Sequence, residues 1–212
     1  MDFPTRRDAP YRVGETALLL VDMQRIWCEP GLDRSHPELD TNTYYFTRLR
    51  LTVIPNQMRL LKAARAAGLE VVHTIIEALT PDGRDRTPDH KLSHILVPKG
   101  MPEGQVIPEL TPLDREIVLP KTSSGVFNST NIDYVLRNLA IRYLIIAGVV
   151  TDQCVDMAMR DAADRGYYAT VPEDACATYT DARHKAALSA FGGYGWVTDT
   201  ATTLAHISAM AG

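Results

Sequence analysis

The chain has 212 residues, 45% of them hydrophobic and 23% charged, with a formal net charge of -4, enough apolar material for one sizeable core in a single domain. A mildly acidic chain lacks the concentrated positive field that nucleic acid or an anionic membrane surface requires, so a small soluble molecule is the expected partner. Cys28, Cys154 and Cys176 make neither a disulfide framework nor a C-x-x-C pair; no apolar run approaches the roughly 20 residues of a membrane span, and Met1 to Gly14 has no signal-peptide core, so a reducing cytoplasm is the expected location.

In chain order, Thr16 to Val21 is a nearly continuous apolar run ending at Asp22, the pattern of a strand covered on both faces. Apolar residues at helical spacing predict a helix over Leu51 to Ala67, with Gly68 in the C′ position, and a second strand over Glu70 to Ile76. Thr80 to Gly104 is rich in proline, glycine and charge and reads as a long surface loop or short irregular elements. A short third strand, Glu116 to Leu119, is cut off by Pro120, and a polar turn follows over Thr122 to Ser129.

The second half alternates more clearly. A helix is predicted over Asn131 to Leu139 with Thr130 as N-cap, then a strand over Tyr143 to Val149 and a helix over Asp152 to Arg165 closed by Gly166. Tyr167 to Val171 reads as a strand, Asp181 to Phe191 as a helix, Gly195 to Thr198 as a sixth strand, and Ala201 to Met210 as a last helix capped by Thr200. Alternation of this kind implies right-handed crossovers. One domain over residues 1–212 is therefore expected, a three-layer α/β/α fold on a six-stranded, mostly parallel sheet.

Sites in such sheets gather beyond the carboxyl ends of the strands. Asp22 follows the first strand, Lys121 the third and Cys154 the fourth. A sulfur in the first turn of a helix lies in the positive end of the helix dipole, which favours thiolate, and free N–H groups there suit an oxyanion. Asp22 closes an apolar strand, where a carboxylate gains nothing from burial and is expected to carry a raised pKa unless paired, as a base for a thiol needs. Singly, a lysine after a strand is a surface residue and a cysteine is a small hydrophobe. Together the three supply a base, a cation and a nucleophile, the set that cysteine-based acyl transfer requires.

Three segments in this order, Leu18-Leu19-Leu20-Val21-Asp22-Met23-Gln24, Lys121-Thr122-Ser123-Ser124-Gly125-Val126-Phe127 and Gly148 to Val155, the last followed by Arg160-Asp161-Ala162 and Asp174-Ala175, resemble those of the isochorismatase-like cysteine hydrolase superfamily. That superfamily includes nicotinamidases, N-carbamoylsarcosine amidohydrolases, and biuret and ureidoacrylate hydrolases. The resemblance covers almost the whole chain and implies an isochorismatase-like, Rossmann-type fold. It also implies a C–N hydrolase in which Asp22 takes the thiol proton, Cys154 attacks and Lys121 steadies the pair. A cis peptide between Val149 and Val150 is implied too, with the N–H groups of Val150 and Cys154 facing the oxyanion, and so is a homodimer or homotetramer; Tyr44, Tyr45 and Phe46 are candidates for its interface.

The chain departs from the nicotinamidase pattern, because no Asp-x-His set follows the first strand. His36, His73, His90 and His94 are scattered, and His90 and His94 read as solvated residues of a polar loop. No metal and no cofactor are therefore expected. Arg25-Ile26-Trp27 stands where relatives often have Asn-Asp-Phe, and Trp27 suits either a pocket wall or the core. Ser124, Phe127 and Asn128 are further pocket candidates, in a segment closer to the ureide-cleaving branch. The charges of Arg84, Asp85, Arg86, His90 and Lys91 suit a solvated loop or a lid over the site. Other readings are vinyl-ether hydrolysis of the isochorismatase type, where another residue generally replaces the cysteine, and a silent scaffold, which would lack one of the three groups. A nucleotide-binding domain is disfavoured because no glycine-rich turn follows the first strand.

Overall fold

A computed structural model describes residues 5–33, 36, 38 and 41–210. Seven strands, β1 (Thr16–Val21), β2 (Glu70–Ile76), β3 (Ile117–Lys121), β4 (Tyr143–Val149), β5 (Tyr168–Pro172), β6 (Cys176–Ala177) and β7 (Trp196–Thr198), form one sheet. Its order is β3-β2-β1-β4-β5-β7, with β6 added beside β4, and every ladder is parallel. The chain runs outward from β1 in one direction and from β4 in the other, so the β1/β4 boundary is where the connections diverge and a crevice opens. β1 and β4 are buried along their whole length, which is why both read as unbroken apolar runs.

Nine helices are described: α1 (Arg25–Cys28), α2 (Thr43–Arg48), α3 (Ile54–Ala66), α4 (Pro88–Leu92), α5 (Val126–Ser129), α6 (Ile132–Asn138), α7 (Asp156–Asp164), α8 (Asp181–Phe191) and α9 (Thr200–Ala209). α3 packs on β1, β2 and α9, whereas α7 packs on β4, β5, α5 and α8. Right-handed crossovers leaving the centre in opposite directions put these two groups on opposite faces of the sheet.

Several expectations are corrected. The sheet gains β6, whose two residues are too few to show a period. β3 runs through Pro120, which pairs with Ile75; at the sheet edge its missing N–H costs no ladder bond. The helix expected from Leu51 begins at Thr43, where Asn42 caps it by accepting from Tyr45 N at 3.0 Å. A π-turn over Leu49–Val53 lies between α2 and α3, just ahead of Pro55, which cannot donate into the ladder. A second π-turn, Thr151–Val155, replaces the first turn of the helix expected from Asp152. The last helix is capped by Asp199, whose carboxylate accepts from Thr202 N at 2.7 Å, rather than by Thr200.

Gly148 sets the central crevice. Its φ is +143°, and a Cβ there would lie 2.2 Å from the carbonyl oxygen of Val21, its partner across the β1/β4 ladder. Only glycine lets the two strands meet this closely, and the meeting brings Asp22 beside Val149 and Val150.

Candidate active site

Asp22 leaves β1 with φ +54°, a left-handed conformation that costs a non-glycine residue on the order of 1 kcal/mol. The turn is pinned to β2: Asp22 N donates to Thr74 O at 3.1 Å, and Thr74 Oγ1 donates to Asp22 Oδ1 at 2.8 Å. The residue is 1% exposed, and its other oxygen, Oδ2, lies 2.8 Å from Lys121 Nζ. That contact is off the hydrogen-bond axis and leaves lone pairs on Oδ2 without an aligned donor.

Lys121 ends β3 and is fully buried. Its ammonium has three protons and meets three groups: Asp22 Oδ2, Ser123 O at 3.0 Å and Cys154 Sγ at 3.4 Å. Burial opposes the ammonium charge, but the Asp22 carboxylate and the Cys154 sulfur outweigh it and raise the lysine pKa. For Cys154 the balance differs. Burial pushes its thiol up to about 12, Lys121 pulls it down and Asp22 pushes it further up. Desolvation thus works against the thiolate that a helix-start position favours, and Lys121 is the group that opposes it. Cys176 rises to about 12 and Cys28 also rises, both through burial first.

Asp22 and Cys154 open onto a pocket of about 590 Å³ of empty space, mouth included. Val150 borders it as well, following the cis peptide between Val149 and Val150; its carbonyl accepts from Gln153 N at 3.1 Å and Val155 N at 3.3 Å. Rings of Trp27, Tyr45, Phe46 and Tyr179 form much of the wall, and Asp33, His90, Ser124 and Gln153 supply its polar groups.

Of the four pocket candidates, Trp27 and Ser124 line this space, and Phe127 and Asn128 do not. Ser124 lies in the turn ahead of α5 and faces the pocket, whereas Phe127, inside α5, is carried into the core. Its ring there lies 6.0 Å from that of Tyr167 and under the Arg165 guanidinium at 4.9 Å. Asn128 stays on the surface. His90 is also corrected: Thr87 caps α4 and turns the imidazole inward, buried, with Nε2 3.4 Å from Ser124 Oγ, and burial lowers its pKa. The other charges of this loop fold the loop itself. Arg86 donates to Gly83 O and Ile95 O, Asp85 accepts from Leu79 N and Thr80 N, and Lys91 donates to Arg84 O. Tyr45 and Phe46 turn into the pocket, and of the three aromatic residues assigned to an interface only Tyr44 is exposed.

Two supports were missed. Thr74 carried a signal, a polar residue in an apolar strand level with Val21. The other support had none: His184 Nδ1 lies 2.9 Å from Thr151 Oγ1, and Arg48 Nη2 lies 2.9 Å from His184 Nε2. Arginine can only donate, so Nε2 accepts and the ring proton sits on Nδ1, donating to Thr151 at the start of the turn that carries Cys154. Burial and Arg48 lower the His184 pKa to about 4, which keeps the ring neutral.

A parallel α/β sheet with carboxylate, ammonium and thiol gathered at its switch point defines a hydrolase of the cysteine type. The chain matches the isochorismatase domain over residues 16–202 and belongs to that family. It is similar to a cysteine hydrolase from Pseudomonas syringae pv. phaseolicola 1448A, at 26% identity over 95% of this chain and 96% of the other, with a TM-score of 0.81. A putative isochorismatase hydrolase from Oleispira antarctica gives 27% identity, coverage of 93% and 100%, and a TM-score of 0.72. The N-carbamoylsarcosine amidase from Thermoplasma acidophilum gives 26% identity, coverage of 88% and 96%, and a TM-score of 0.69.

Proposed function

We propose that the protein hydrolyses a C–N amide or ureide bond of a small molecule through a thioester on Cys154. The observation that carries this reading is Lys121 Nζ, 2.8 Å from the Asp22 carboxylate and 3.4 Å from the Cys154 sulfur at the edge of a pocket. Asp22 Oδ2 takes the thiol proton as the sulfur attacks the carbonyl carbon. The buried site holds one negative and one positive charge before and after this transfer, since the anion moves from oxygen to sulfur while Lys121 stays beside both. No bare charge is created in a low-dielectric space, the step that would be costly.

The N–H groups of Val150 and Cys154 hold the oxyanion. As the tetrahedral intermediate collapses, the C–N bond breaks and the leaving nitrogen takes the proton from Asp22. Water then gives a proton to the same carboxylate and attacks the thioester; the sulfur leaves and recovers its proton. An ammonia-release assay over ureides, biuret and small primary amides tests the reading. Turnover of at least one of them by the wild type and a loss on the order of 10⁴-fold in Cys154→Ala are expected. Turnover that survives in Cys154→Ala, or release of ammonia from none of the compounds, sinks it.

A further inference from the structure

Beside the reacting trio lies a second set of polar side chains, on the Lys121 side of the pocket. Lys121 Nζ holds Ser123 O at 3.0 Å, and the next residue, Ser124, lines the pocket together with His90. The two neighbouring serines differ. Ser123 Oγ is spent on folding the turn, bonding Gly125 O at 3.1 Å and Ser129 Oγ at 2.9 Å, whereas Ser124 Oγ meets only His90 Nε2, at 3.4 Å. His90 is 1% exposed, and its other ring nitrogen, Nδ1, is buried with no partner. Burial first, and then Lys121, lower its pKa, so at neutral pH the ring is uncharged and carries one proton.

Buried N–H groups are left orphaned less readily than acceptors, so the ring proton belongs on Nε2, where it donates to Ser124 Oγ. The Ser124 hydroxyl then accepts from the imidazole and has its own proton left to give, with the pocket as the open direction. Lys121 and Arg86, cations that act on His90, are both committed, Lys121 to its three partners and Arg86 to Gly83 O and Ile95 O. The donor offered here is a neutral hydroxyl oriented by a neutral imidazole, which suits a neutral carbonyl oxygen. We infer that the substrate carries a second carbonyl close to the scissile one, as an acylurea or a β-keto amide does, and that Ser124 Oγ donates to it while His90 holds the serine in place. The inference rests on the amide-cleaving reading of Cys154 and adds to it what the substrate bears beside the reacting bond.

Two matched pairs test it, acetylurea with ethylurea and acetoacetamide with butanamide; within each pair a carbonyl replaces one methylene. Water favours the carbonyl member, so its tighter binding requires a donor in the protein. Calorimetric titration of Cys154→Ala reads affinity without turnover, and ammonia release by the wild type reads the reaction. The carbonyl member of each pair is expected to bind about five-fold more tightly. Adding Ser124→Ala to Cys154→Ala is expected to bring both ratios toward one, and adding His90→Phe to reduce them. A merely structural loss would weaken both members of a pair and leave their ratio unchanged. Ser124→Ala removes a hydroxyl that folds nothing, so it reads the ratio even if the His90 variant is unstable. Equal affinities within the pairs, no binding of any of the four compounds, or ratios that Ser124→Ala leaves intact overturn the inference; ratios intact in a folded His90→Phe overturn the part given to His90. If the expected ratios are found while the wild type releases no ammonia from any amide or ureide, the second-carbonyl site stands and the hydrolytic reading falls. Turnover with no preference within either pair leaves hydrolysis standing and removes the second-carbonyl site.

Discussion

The two ends of β3 carry two buried charge clusters, and only one of them opens onto a pocket. At the carboxyl end of β3, Lys121 meets Asp22 and Cys154. At the other end, Glu116 just ahead of β3 has a side chain 4% exposed, which accepts from Arg65 of α3 at 2.8 and 2.9 Å and from Leu113 N at 2.9 Å. His73 of β2, also buried, lies 3.4 Å from the same carboxylate. Burial works against the Glu116 charge, but the Arg65 fork and the Leu113 N–H win and hold its pKa near 2. Perturbed titration therefore marks both clusters, and it does not separate them. What separates them is spare capacity beside open space: Glu116 already holds three donors, whereas Asp22 keeps an acceptor beside a thiol that faces a pocket.

The sharpest way to break this contrast is to remove one charge from each cluster. Lys121→Met leaves Asp22 buried without its counter-charge, so a loss of about 3 kcal/mol in stability and a fall in kcat/KM on the order of 10³-fold are expected. Urea denaturation and the ammonia assay read the two effects. Glu116→Gln is expected to cost roughly 2 kcal/mol by denaturant titration and to leave kcat unchanged. Its pH dependence has a fixed sign. A carboxylate whose pKa falls from 4.5 to about 2 on folding stabilises the wild type fully above about pH 4.5, and loses that contribution as pH drops toward 2. The wild-type advantage over Glu116→Gln is expected to vanish across that window; a lower kcat in Glu116→Gln would erase the distinction between the clusters.

A smaller effect is expected at His184, which supports the nucleophile's turn without touching the pocket. His184→Ala loses the contacts to Thr151 and Arg48 and is expected to lower kcat by roughly ten-fold, with about 1–2 kcal/mol of stability. Burial and Arg48 depress the His184 pKa from 6.5 to about 4, so its contribution is complete above about pH 6.5 and declines as pH falls toward 4. A pH series of melting curves on wild type and variant checks this; an advantage that grows on acidification contradicts it.

Much of this architecture is legible in the chain. β1, β2, β4 and α8 begin and end where the apolar runs and their breaks put them, because strands buried on both faces need continuous hydrocarbon. The strand-end rule then brings Asp22, Lys121 and Cys154 together from distant stretches. Legibility fails where a local rule is overridden by its surroundings. Pro120 stops a central strand but not an edge one, and the π-turns over Leu49–Val53 and Thr151–Val155 shift helical faces without any compositional mark. His90 sits in a polar loop, yet its capped turn buries it. The burial that acts against a Cys154 thiolate has no local mark either, since it depends on everything packed around the sulfur. Asp33, Tyr45, Phe46 and Tyr179 come from the segments between strands, so the pocket wall emerges only once those segments pack.

The central claim is that Asp22 and Cys154 exchange one negative charge beside a single ammonium. The pH profile of Cys154 alkylation by iodoacetamide, followed by peptide mass spectrometry in wild type and Asp22→Asn, reads it directly. With the carboxylate gone, Lys121 has only the sulfur to pair with, so Asp22→Asn is expected to alkylate at lower pH and faster than wild type while losing hydrolysis. An alkylation profile unchanged by Asp22→Asn, or slowed by it, would contradict the shared charge and the mechanism built on it.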